Sequence, residues 1–149
     1  MSTNYILVQS EDNSFSYIKY KTAKKSSNYT LVSSYSYDLS NKIVNLGNDA
    51  QYVVVGGDQI EVLDIYNEIK LDKFKHGNRV SSLAITTGGW HVISGSDDSM
   101  IRVWEVGTGA EATSVRSSGI VKKIVLSEDL SRFGTGGDDG YVRVYTLYE

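Results

Sequence analysis

The stretch HGNRVSSLAITTGGWHVISGSDDSMIRVWEV, from His76 to Val106, decides the fold. Its runs VSSLAI, HVISGS and MIRVWEV are rich in Val and Ile, and clusters of Gly, Asp and Ser part them. Half-buried strands joined by tight turns have this composition. The stretch is also copied. VSSLAI from Val80 aligns without a gap on VKKIVL from Val121, which puts Trp90 on Ser131, Ser94-Gly95 on Thr135-Gly136, Asp98 on Asp139, Ile101-Arg102-Val103 on Val142-Arg143-Val144 and Trp104 on Tyr145. The period is 41 residues. Going backwards, Ile60 to Asp64 lies under Ile101 to Glu105 at the same offset of 41, whereas Gly56 lies under Gly95 at 39, because the turn GGDQ is shorter. Ile6 to Lys19 lies under Val92 to Glu105 at an offset of 86, which adds a partial first unit. A supersecondary unit copied at this period implies a repeat architecture in which each unit covers the flank of the next.

The rest of the chain agrees. Runs such as YILV, SYIKY, YTLVSSY, QYVVV, QIEVLDI and YVRVY recur every eight to twelve residues, and no apolar stripe at helical spacing is long enough for a core helix. Eleven Tyr suit half-exposed sheet faces, and the absence of Pro leaves the turns to Gly, Asn and Asp. Hydrophobic residues make up 40% and charged residues 22%, an ordinary globular mix. A net charge of −3 argues against a general binder of nucleic-acid backbone. With no Cys and only two His, His76 and His91, neither a disulfide frame nor a thiolate metal site is available, so no metal and no cofactor are expected. His91 reads as a surface residue at the start of a strand. The amino terminus MSTNYILVQS lacks a secretory pattern and no apolar run approaches the ~20 residues of a membrane span, so the expectation is an intracellular protein, cytoplasmic or nuclear, without membrane contact.

A period of 41 residues with four strands per unit, and the His, Ser, Asp and Trp of His76 to Val106 at their observed spacing, resemble the WD-repeat β-propeller family, with Trp104-Glu105 in place of its Trp-Asp. The resemblance implies an all-β fold of four-stranded antiparallel blades, about 3.5 of them, as an open arc or half-propeller. Residues 1–149 then form one propeller region: a partial blade 1 at 4–37, blade 2 at 38–75, blade 3 at 76–116, and blade 4 at 117–149 without an outer strand. Closed propellers have about four to eight blades. The chain is therefore expected to look like the carboxyl-terminal half of a larger ring, and to self-associate or bind a completing half, since uncapped repeats leave apolar flanks uncovered.

His76, Ser94 and Asp98 also have the composition of a hydrolase triad. The family resemblance implies a structural role instead: a hydrogen-bond chain from the Trp104 indole to Ser94, from Ser94 to His76 and from His76 to Asp98. Asp97-Asp98 and Asp138-Asp139 read as turn residues rather than catalytic pairs. No enzyme is expected.

The same resemblance implies a peptide-binding or protein-binding rim at Arg79, Ser81 and Asp97 in blade 3, Ile120, Lys122 and Asp138 in blade 4, and Ser40 and Lys42 in blade 2. The expected function is a non-enzymatic scaffold that docks proteins or peptides in a multiprotein assembly. The alternative is a nucleic-acid-associated subunit of an RNA-processing complex, making contact through the lysines of KYKTAKKSS, Lys19 to Ser27.

Overall fold

The computed structural model describes residues 3–9, 14–23, 26–36, 42–47, 51–65, 67, 69–127 and 129–147, with the backbone alone up to residue 36. The chain divides into two compact units, Met1–Asn41 and Lys42–Glu149.

The first unit contains an antiparallel meander of β1 (Thr3–Gln9), β2 (Ser14–Ala23) and β3 (Ser26–Ser36), in that order across the sheet. Its register slips by one residue at Tyr17/Ile18.

The second unit contains three antiparallel sheets. The first is β4 (Ile43–Leu46), β5 (Tyr52–Gly56), β6 (Gln59–Asp64) and β7 (Ile69–Lys75). The second is β8 (Val80–Ile85), β9 (His91–Ser96), β10 (Met100–Glu105) and β11 (Glu111–Arg116). The third is β12 (Val121–Leu126), β13 (Arg132–Gly137) and β14 (Val142–Thr146). Each run quoted above as strand-like lies on a strand, to within a residue at either end. A 3-10 turn at Thr87–Gly89 was not foreseen; Gly88 and Gly89 both take positive φ there, which closes the β8–β9 connection.

Packing follows from strand alternation. β8 lies against β4 and β5, and β12 against β8 and β9, so the second and third sheets of this unit each offer their first strand to the sheet before. One cluster joins Val54, Ile60, Val62 and Phe74 to Val80, Leu83, Ile85, Val92 and Trp104. The next joins Ala84, Ile93, Ile101 and Val103 to Val121, Ile124 and Phe133. Adjacent residues of one strand, such as Val92 and Ile93, thus serve different interfaces, and the middle sheet is buried on both faces.

Two glycines stand at the contacts between sheets. A Cβ on Gly56 would fall 2.5 Å from a terminal methyl of Leu83, which can turn aside, whereas one on Gly95 would fall 2.6 Å from the Cβ of Val121, so at Gly95 only a hydrogen atom fits where the next sheet's first strand approaches. At Gly136, the copy of Gly95 in the third sheet, nothing described lies within 4 Å.

Candidate protein-docking rim and its support

The segment leading into the first strand of a sheet meets the turn between that sheet's second and third strands. The Asp97 N–H donates to the Arg79 carbonyl at 3.0 Å, and the Asp138 N–H donates to the Ile120 carbonyl at 3.0 Å. The turns are built locally: Asp98 accepts the Met100 N–H at 2.9 Å and Asp139 accepts the Tyr141 N–H at 3.1 Å. Each second Asp is thereby used by the backbone, and the first Asp is left exposed. Ser99, at φ 63°, takes the left-handed conformation that Gly140 supplies in the copy.

These contacts bring Arg79 beside Asp97, at 4.0 Å, and Lys122 beside Asp138, at 3.2 Å. All four are exposed, and each pair of opposite charges stands where the segment leading into a sheet meets that sheet's second turn. Exposed pairs are worth only about 0.2–1 kcal/mol, so an incoming charged group can exchange for a partner at low cost. Ile120 is half-buried beside them. Ser81 is differently occupied: its hydroxyl donates to the Val121 carbonyl and joins the second sheet to the third. Lys42 is half-buried, with its stem over Gly57. Ser40 lies outside the described residues, as do Lys24 and Lys25 of the lysine-rich run.

Behind these pairs sits the cluster around Trp104. The Trp104 indole N–H donates to Ser94 at 2.8 Å, and its ring stacks on Phe74 with centroids 5.4 Å apart. From Ser94 the bonding departs from the expected chain. Among the described residues no hydrogen bond joins His76 to Ser94 or to Asp98; Arg102 stands between them. Its Nη1 donates to Asp98 at 2.9 Å and lies 3.0 Å from His76 Nδ1, and its Nε is 3.4 Å from Glu111. A histidine that accepts from an arginine, with no serine bonded to it, has no base-to-nucleophile contact of the triad kind.

Burial first, and then the Arg102 cation, hold the His76 imidazole below its ordinary value. For Asp98, burial acts upward, but the Met100 N–H and Arg102 outweigh it and hold the carboxyl low. Arg102 was absent from the sequence reading of this site. The signal was present as an Asp and an Arg four residues apart, Asp98–Arg102, repeated as Asp139–Arg143. In the copy, Arg143 bonds Asp139 at 2.7 Å and Ser118 at 2.6 Å, and Ser118 bonds Asp139, which holds that carboxyl low as well.

Among the described residues no group of three or more His, Cys, Asp or Glu is placed to hold a metal ion, and no helix is long and apolar enough to cross a membrane.

Successive antiparallel sheets, the second and third of the Lys42–Glu149 unit each packed through its first strand on the sheet before, are a stretch of β-propeller. Comparison with known proteins agrees. A guanine nucleotide-binding protein subunit beta of Arabidopsis thaliana is 34% identical over 112 residues, which is 66% of this chain and 29% of that protein. Its counterpart in Nicotiana plumbaginifolia is 30% identical over 109 residues, again 66% of this chain and 29% of that protein. The human ribosome biogenesis protein BOP1 is 39% identical over 49 residues, which is 33% of this chain and 7% of that protein. The β-propeller domain of Myceliophteria thermophila Cps50 (Swd1) shares the fold, with a TM-score of 0.62 over 71% of this chain and 35% of that one, at 16% identity. No family model matches the chain. The chain spans about 29% of the length of the beta-subunit relatives. With its 41-residue unit and its Trp104–Ser94 bond, the chain belongs to the WD-repeat β-propeller family.

Proposed function

We propose that the chain is a non-enzymatic docking scaffold of an intracellular multiprotein assembly, cytoplasmic or nuclear, and that it holds protein or peptide segments on the rim of Arg79, Asp97, Ile120, Lys122 and Asp138, with Ser81, Lys42 and Ser40 beside them. The observation that carries this reading is the exposed, loosely paired opposite charges repeated in the second and third sheets, ordered by the Arg79–Asp97 and Ile120–Asp138 backbone bonds. Such pairs suit a segment carrying both charges better than a polyanion. The bonding of His76 to Arg102 supports a structural rather than catalytic use of the polar residues behind it.

The blade limits 4–37, 38–75, 76–116 and 117–149 belong to the same proposal, as does self-association or binding of a completing propeller half. Its support is the third sheet's outward face. Val125, Val142 and Val144 are 57%, 83% and 68% exposed, yet they copy Ala84, Ile101 and Val103, which are buried between sheets.

The test compares wild-type chain with the Asp97→Lys/Asp138→Lys variant as bait in cell extract, with and without RNase, after circular dichroism has shown both to be folded. The expected result is a set of proteins retained by wild type, lost with the variant and indifferent to RNase. Retention unchanged by the variant overturns the rim reading. Loss on RNase treatment favours the second reading, a nucleic-acid-associated subunit, for which the 49-residue likeness to a ribosome biogenesis protein speaks.

A further inference from the structure

We propose that Asp139–Gly140, in the turn between β13 and β14, is a modification site at which isoaspartate forms without an enzyme, held in check by the clamp of Ser118 and Arg143 on the Asp139 carboxylate. This turn chemistry does not depend on the rim reading.

The sequence supplies the reactants. An aspartate side chain is open to attack by the backbone nitrogen of the residue that follows, and glycine there leaves that nitrogen unshielded by a Cβ. Asp139–Gly140 is the single Asp-Gly pair of the chain, and the chain has no Asn-Gly pair. The copy, Asp98–Ser99, keeps a side chain at this position although Ser99 sits at φ 63°. The third sheet relieves that strain with Gly140, at φ 77°, and thereby uncovers the nitrogen.

In the reaction the Gly140 nitrogen bonds to the side-chain carboxyl carbon of Asp139. One carboxyl oxygen leaves as water, taking the amide hydrogen and the acid proton, and a five-membered imide closes. Water then opens the ring at one of its two carbonyls. One opening restores aspartate; the other sends the main chain through the side-chain carbons and lengthens the turn by one backbone atom. The carboxylate of the isomer sits directly on Cα, too short to serve Ser118 and Arg143 as before. Gly140 is exposed and Asp139 half-buried, so water reaches the imide.

The fold restrains both reactants. Asp139 Oδ1 accepts the Tyr141 N–H at 3.1 Å, while Oδ2 is bonded by Arg143 at 2.7 Å and by the Ser118 hydroxyl, and Arg143 braces Ser118 at 2.6 Å. The Gly140 N–H donates to the Gly137 carbonyl at 3.2 Å. Gly119 closes on the turn, since a Cβ there would come within 3.1 Å of the Asp139 backbone nitrogen. The carboxylate must leave Ser118 and Arg143 before it turns toward Gly140, and both belong to other segments, the lead-in to β12 and β14 itself. The Ser118 hydroxyl first, then the Tyr141 N–H and Arg143, also keep the group ionised, and a carboxylate is a poorer electrophile than the acid.

The test incubates the full chain at neutral pH and body temperature in heavy-oxygen water, then cleaves it with a protease that cuts before aspartate but not before isoaspartate, and reads the peptides by mass spectrometry. Isoaspartate carrying one heavy oxygen should appear at position 139 in excess of position 98, and more slowly in the folded chain than in urea. Ser118→Ala and Arg143→Met, each shown folded by circular dichroism, should speed it roughly tenfold, while in urea both should match wild type. Gly140→Ser, which reproduces the copy, should bring position 139 down to the level of position 98. Where Arg143→Met does not fold, Ser118→Ala decides alone. No excess at position 139 in the folded variants, folded variants no faster than wild type, or isoaspartate without heavy oxygen overturns the proposal.

Discussion

Arg102 organises the polar interior of the middle sheet, because among the described residues it alone touches His76, Asp98 and Glu111. The Trp104–Ser94 bond was legible through the family resemblance, which pairs the indole N–H with the Ser94 hydroxyl, and a buried indole N–H does need an acceptor. The rest stayed hidden, because resemblance directed His76 toward Ser94 and Asp98, and only side-chain length decides that a guanidinium reaches both groups first. A pH dependence follows. The folded-state value of His76 lies below its unfolded value, so the unfolded chain binds the extra proton; the contribution of His76 is fully present above about pH 6.5 and is lost as pH falls toward the folded-state value. Calorimetry should show the melting temperature falling between about pH 7 and pH 5.5, with a smaller slope in His76→Gln. Equal slopes in the two proteins would remove His76 from the account.

At the scale of strands and turns, the sequence was most informative because the side-chain period of two and the repeat of 41 reinforce each other. The two-glycine bend at Thr87–Gly89 escaped because its copy, around Leu130, uses other residues; Leu130 itself takes a φ of 59°. The close-approach glycines yield a paired prediction. Gly95→Ala places a methyl group on Val121 and should cost about 1–3 kcal/mol in denaturant unfolding. Gly136→Ala meets nothing described within 4 Å and should cost less than about 0.5 kcal/mol. Equal losses at the two positions would show that strand geometry, rather than sheet-to-sheet distance, keeps these residues small.

For the whole molecule, the repeat implied that terminal units leave apolar flanks uncovered, while the rim's detailed use was hidden. Nothing in the sequence says that the Ser81 hydroxyl is spent on the Val121 carbonyl or that Lys122 pairs with Asp138. The uncovered valines have a measurable outcome. In sedimentation velocity the chain should associate with rising concentration, and Val142→Lys/Val144→Glu should hold it monomeric. A wild type that stays a single monomeric species at all concentrations would count against association through this face. The opposed signs of Glu61 with Lys70 and Lys73, and of its copy Arg102 with Glu111, bear on how such a chain folds without confusing its own repeats. Neighbouring repeats are alike enough to trade hairpins during folding or between molecules. If β7 docked on β10, Lys70 would confront Arg102; if β11 docked on β6, Glu111 would confront Glu61. Each hairpin thus carries an electrostatic address that its sister cannot forge, and the penalty for misdelivery falls on the outer strand, where pairing is completed.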